Sequence, residues 1–228
     1  MNSQVLRTVF LSCLSGFVDT AVFILMGGLF VAHVTGNFVL LGATLAGQAV
    51  GGGHASATAR QLAAFPLFIV SAGAATVLAQ AVARGREATA LLFVLSGGVF
   101  ALVGGLSWSG HAIPVAGSML LVVAMGALNA AHRLDQTLGP PFTVMTGNIT
   151  SLAVGVVRLV GAKRGAGAGA SSAMVWGPLC TVLGFLAGCA AGALAASRLG
   201  FGSMIGPALL MAGALIAHHR ATAGGPVL

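Results

Sequence analysis

The chain has 228 residues, 57% of them hydrophobic and only 6% charged, with a mean hydropathy of +1.03. A soluble domain carries about a quarter charged residues, so a water-facing surface is excluded and an all-α integral membrane protein is expected. The net charge of +7 would suggest nucleic acid in a soluble protein, but the basic residues fall mainly in short connections between apolar segments. There they report membrane topology, and no nucleic-acid partner is expected.

In chain order, strong apolar segments cover roughly 8–30, 62–83, 89–107, 114–132, 172–196 and 203–218. Each has about the 20 residues that cross a ~30 Å hydrocarbon core as a helix. Two further segments, about 35–50 and 142–160, each begin at Thr-Gly-Asn. Only Arg7 precedes the first apolar run, which continues past signal-peptide length, so no cleavable leader is expected. Glycine and serine mark 51–56 and 163–172 as loops. Gly184, Gly188 and Gly192 form the clearest small-residue helix face and a candidate contact for a homodimer. Cys13, Cys180 and Cys189 lie in apolar segments and read as small buried hydrophobes. Trp108 and Trp176 read as interface anchors.

One pattern occurs twice. Gly16-Phe17-Val18-Asp19 is followed by Thr35-Gly36-Asn37, and Gly126-Ala127-Leu128-Asn129 by Thr146-Gly147-Asn148. Pro66 and Pro178 recur at nearly the same offset. The chain is therefore read as a tandem duplication within a single transmembrane domain over 1–228, with repeats at about 8–107 and 114–218.

Two topologies compete, both with a cytoplasmic N-terminus. If the Thr-Gly-Asn segments return to the side they left, Arg7, Arg84, Arg86, Arg133, Arg158, Lys163, Arg164 and Arg220 are cytoplasmic, and only Arg60 and Arg198 lie outside. If both cross, Arg84, Arg86, Arg133 and Arg198 lie outside instead. The positive-inside rule favours the first. It gives six transmembrane helices plus two short Thr-Gly-Asn re-entrant or broken helices, as two inverted-topology repeats, with both termini cytoplasmic.

Asp19 is the one acidic residue inside a predicted span, since Glu87 and Asp135 lie in connections. A carboxylate at that depth costs about 2.5 to 3.5 kcal/mol unless protonated, paired or hydrated, which makes it a candidate proton or cation site. The bland alternative is a structural partner for an arginine or for backbone N–H groups. Asn129 is its neutral repeat mate. At each Thr-Gly-Asn, threonine or asparagine can cap the first turn and glycine permits a tight approach, leaving a helix start inside the membrane with free donors. Pro140-Pro141 fits an extended descent into the second copy. The candidate solute or ion site is thus Asp19, Thr35, Gly36, Asn37, Asn129, Thr146, Gly147 and Asn148. His33, two residues before Thr35, could face the same cavity but is expected at a boundary, satisfying a backbone carbonyl, and His132, His218 and His219 at cytoplasmic helix ends. No metal-ligand spacing and no cofactor motif is present in the sequence.

Gly-x-x-Asp in the first helix, His-Val-Thr-Gly-Asn, Met-Gly-Ala-Leu-Asn-Ala-Ala and Val-Met-Thr-Gly-Asn-Ile-Thr together resemble the YoaK family of bacterial multi-pass membrane proteins, a family of unknown function. The resemblance covers most of the chain and implies an inner-membrane protein with six or so spans, without naming a substrate. The Asp135–Pro141 connection is less basic than similar proteins have there.

Three functions are weighed. A secondary transporter or channel for a small polar or anionic solute would use the eight residues above, with proton coupling through Asp19. A non-transporting structural or regulatory membrane protein would use them only to hold helices together. A membrane enzyme is disfavoured, since no nucleophile with a base, metal cluster or phosphate loop is found.

Overall fold

In a computed structural model of the chain, residues 3–48, 55–82, 86–139, 141–163 and 172–223 are described, and every element among them is helical. They are α1 (Ser3–Leu25), α2 (Val34–Leu45), α3 (Ala55–Val82), α4 (Arg86–Trp108), α5 (Val115–Leu134), α6 (Met145–Lys163), α7 (Ala173–Leu199) and α8 (Ile205–Ala223). Short 3-10 turns, Gln136–Leu138 and Gly200–Met204, follow α5 and α7. Five stretches are long and apolar enough to cross a membrane, at Val5–Leu25, Ala57–Ala81, Glu87–Trp108, Val115–Leu134 and Ala173–Ile216. The last runs through both α7 and α8, which Gly200, at φ 56°, separates. With 12 residues at ~1.5 Å rise, α2 is too short to cross.

Several helix limits differ from the sequence reading, and two of the differences have a clear cause. The first run was expected to 30, but α1 stops at Leu25 because Gly27 and Gly28, at φ 61° and 99°, turn the chain back. The third helix was expected from 62 and begins at Ala55, where Arg60 and Gln61 donate to the carbonyls of Met26 and Gly28. Most of the glycine-rich connections, with Pro140, Arg84 and Arg164, lie outside the described residues.

The main helix pairings come in matched sets. α1 packs on α7 and α3 on α5; α1 packs on α8 and α5 on α4; α2 packs on α3 and α6 on α7; α4 packs on α8. Exchanging α1–α4 with α5–α8 in order reproduces each of these pairings. Direction follows from register. Gly184 lies against Val9 and Ser12, Gly188 against Cys13, and Gly192 against Phe17, so α1 and α7 run parallel. Gly97 lies against Met211 and Gly104 against Ile205, so α4 and α8 run antiparallel.

The most extensive contact, α1 on α7, corrects one expectation. The Gly184 to Gly192 face is buried against the backbone of α1 within the same chain, so it is not open to a second copy. A methyl group at Gly188 or Gly192 would collide with the carbonyls of Cys13 or Phe17. Hydrocarbon solvent gives helices no hydrophobic reason to associate, and such close backbone approach recovers dispersion energy instead.

At the end of the molecule holding the start of α1, several chain segments are tied together. Arg7 Nη2 donates to the Thr137 carbonyl at 3.1 Å, and Thr8 Oγ1 to that of Leu138 at 2.9 Å. Arg7 Nη1 lies 3.3 Å from Nδ1 of His218 near the end of α8. Asp135, just past α5, accepts from Thr137 N at 3.0 Å, Thr137 Oγ1 at 2.6 Å and Thr89 Oγ1 at 3.1 Å. Burial opposes ionisation of Asp135, but these hydrogen bonds and nearby His218 outweigh it and hold the carboxyl below its ordinary range.

Replacing Gly188 with leucine is expected to cost at least about 1–3 kcal/mol through overpacking, lowering Tm in detergent by size-exclusion thermal challenge. Gly73→Ala, where the added methyl meets nothing within 4 Å, should leave Tm unchanged. Because the Asp135 carboxyl is depressed, its stabilisation is complete above about pH 3.9 and is lost as pH falls through the lower folded value. Asp135→Asn is expected to abolish that part of the acid-induced fall in Tm.

Candidate functional site

Beyond Gly28 the chain runs back along α1. Asp19, six residues before the end of α1 and about 9 Å below it at ~1.5 Å per residue, is 3% exposed. Its Oδ1 accepts from Val31 N at 2.8 Å and Ala32 N at 2.6 Å, and its Oδ2 from His33 N at 3.0 Å. His33 Nδ1 also pairs with Oδ2. Four donors thus converge on the buried carboxylate. Of the two structural partners considered, the backbone N–H groups are those found.

This anchor starts α2 at the depth of mid-α1. The second polar clamp is Asn37, whose Oδ1 accepts from Phe30 N and whose Nδ2 donates to Phe30 O, both at 2.9 Å. Gly36 fits beside the Phe30 ring, where an added methyl would sit 2.8 Å from Cδ2. From there α2 returns toward the end it came from, since Phe38 meets Phe65 of α3 at 4.8 Å, just beyond Arg60 and Gln61 at the turn.

The second copy is built alike with fewer bonds. Asn129 Oδ1 accepts from Thr143 Oγ1 at 2.7 Å, fourteen residues on, the spacing that separates Asp19 from His33. Asn129 Nδ2 returns to its own helix, donating to Met125 O at 2.9 Å. Asn148 Nδ2 donates to Pro141 O at 2.7 Å, the counterpart of Asn37 with Phe30. Proline has no N–H, so the return bond that Phe30 makes to Asn37 has no equivalent here.

The two loops meet at His33. Its ring packs edge-on against Phe185 of α7 at 5.2 Å, and the backbone carbonyl of Thr143 lies beside it. That carbonyl is outside hydrogen-bonding geometry, and Nε2 is buried without a partner among the described residues. Cys189 of α7 stands near Asp19 and interacts with Thr20.

Of the predicted site, Asp19, Asn37, Asn129 and Asn148 are the loop clamps, each spending its side chain on hydrogen bonds within the chain. Thr35, Thr146 and Gly147 are exposed, and neither threonine caps its helix. The N–H groups of Val31, Ala32 and His33, which lead into α2, are taken by Asp19, while the first turn of α2 itself has no side-chain cap. His33 was expected to satisfy a backbone carbonyl and instead pairs with Asp19; Thr143 was missed. The signal for both was the shared fourteen-residue spacing. A separate cavity of about 340 Å³ lies among α3, α4 and α5, lined by Ala75, Leu92, Val99 and Ala124. Its hydroxyls, Ser71 and Ser96, already donate to the carbonyls of Val123 and Ala124, leaving an apolar surface that suits no polar solute.

Asp19→Asn replaces an acceptor for four donors with a carboxamide that must present its own N–H groups, at a cost of about 1–3 kcal/mol. Hydrogen exchange by mass spectrometry is expected to rise at residues 31–33 with α4 and α8 unaffected. Unchanged exchange in the loop would show that the carboxylate does not hold it.

No curated protein and no solved structure matches the chain. A family model does, across residues 8–217, and its description is a protein of unknown function. With nearly its whole length matched, the chain belongs to the DUF1275 family.

Proposed function

We propose that the protein is a non-enzymatic transporter or channel for a small polar or anionic solute in a bacterial inner membrane, with six crossings in two inverted-topology repeats at about 8–107 and 114–218. The observation that carries the reading is the meeting of two returning loops, one from each repeat, at His33 and Thr143. Broken helices that converge from two repeats near the bilayer midplane are how many secondary transporters build a binding site. The resemblance to the YoaK family is read as the same relationship as the DUF1275 match.

The antiparallel register of α4 on α8 supports inversion, because an axis along the membrane normal would make these repeat mates parallel. The parallel register of α1 on α7 is common to six and eight crossings, whereas the antiparallel register of α4 on α8 fits six alone. The return of α2 toward the end of α1 supports the re-entrant reading, and both termini are then cytoplasmic.

One observation favours the alternative, a structural membrane protein: all four predicted polar anchors are satisfied within the chain. Uptake distinguishes the two. Liposomes carrying the protein are expected to take up at least one of a panel of small organic anions and polar solutes faster than empty liposomes, and Asp19→Asn to lose this while remaining folded. Folded protein that accelerates none supports the structural alternative. Topology is tested by impermeant thiol labelling: Gln48→Cys is expected to react from outside and Gln136→Cys from inside, whereas two full crossings by α2 and α6 would reverse both.

A further inference from the structure

We propose that His33 is a proton-binding site, and that its protonation fastens the returning loop of the first repeat to that of the second. Three backbone N–H groups and the imidazole surround the two oxygens of Asp19, and an ionised carboxylate is the form that accepts from all four. The hydrogen between the side chains therefore belongs to Nδ1 of His33.

This fixes the tautomer of the neutral ring. With its hydrogen on Nδ1, neutral His33 presents Nε2 as a bare acceptor. Nε2 is buried and without a partner among the described residues, and the neighbouring group of the other repeat is the Thr143 carbonyl, also an acceptor. The Thr143 hydroxyl is committed to Asn129, so it does not relieve the mismatch. A proton taken up at Nε2 turns that atom into a donor beside the carbonyl, and a small shift of either loop brings the two into hydrogen-bonding geometry. The product is a charge-assisted hydrogen bond between the loops and an Asp19–His33 ion pair with no net charge, which suits a low-dielectric surrounding better than a lone carboxylate.

The titratable groups around the pair are few. Asp19 faces it from α1, and Cys189 stands near Asp19 from α7, where Phe185 supplies only an apolar edge. The second loop presents Thr143 and Asn129, which do not titrate. The side chain of His33 is 26% exposed although Nε2 itself is buried, so proton uptake at Nε2 needs a small local opening of the loop and not its unfolding. The proton site stands on this geometry alone; it rests on the transport reading only for what the proton drives.

Two measurements test it. In protein with isotopically labelled histidine, the resonance missing from His33→Gln identifies the ring, which is expected to titrate. With Cys13, Cys180 and Cys189 replaced by alanine, Val144→Cys, next to Thr143 and 45% exposed, reports the loop contact. Its labelling rate is expected to rise about tenfold from the acid to the alkaline side of that titration, the loss of one charge-assisted hydrogen bond. The change should vanish in His33→Gln. If His33→Gln does not fold, the labelling profile of the His33-containing protein carries the test unaided. A ring that does not titrate, or labelling at residue 144 that is flat across its titration, overturns the proposal. Folded protein with the titration and the labelling change, yet without uptake of any solute, retains the proton site and overturns only the transport reading.

Discussion

A carboxylate cannot lie in hydrocarbon without donors, and a chain that reverses inside a membrane cannot leave its amides bare. Asp19 answers both requirements at once. Its oxygens collect the N–H groups of Val31, Ala32 and His33, so the group that is costly to insert offsets the cost of the irregular backbone beside it. Without that exchange, α1 would have to continue through the position where Gly27 and Gly28 turn it, and α2 would have no fixed starting depth.

The second half of the chain solves the same problem with neutral groups. Asn129 holds its loop through the Thr143 hydroxyl rather than through several amides, and Asn148 has a carbonyl but no amide to clamp at Pro141. Side chains of Arg7 and Thr8 make up part of the difference by binding the carbonyls of Thr137 and Leu138. The first loop is thus anchored from within its own repeat and the second partly from α1. The two copies of the motif share a geometry and divide the chemistry, with ionisable groups on one side of the meeting point and amides and hydroxyls on the other.

The helical content and the duplicated motif were legible because apolar length and exact motif spacing survive in a linear string. Asp19 was legible as exceptional, since a lone acid in an apolar run has few explanations. Its partners were not: Val31, Ala32 and His33 bind it through backbone amides, which no residue type announces. Thr35 and Thr146 misled for the converse reason. Threonine at a helix start is a familiar cap, yet here the neighbouring asparagines reach back seven residues and leave the hydroxyls exposed. The glycine stripe of α7 was legible as a contact surface, but glycine carries no shape that names its partner, so only the fold assigns it to α1.

That seam limits how such a molecule changes shape. Where Gly184, Gly188 and Gly192 bring α7 onto α1, they meet the backbone of Val9, Cys13 and Phe17, with only the short Ser12 side chain beside Gly184 to adjust during a slide. Since α1 belongs to the first half and α7 to the second, the two halves are welded along this line and cannot rock as separate blocks about it. Any alternation between inward and outward exposure would therefore leave this pair at rest, as a stationary spine, and would have to be carried by the short helices and by the looser junction of α3 with α4.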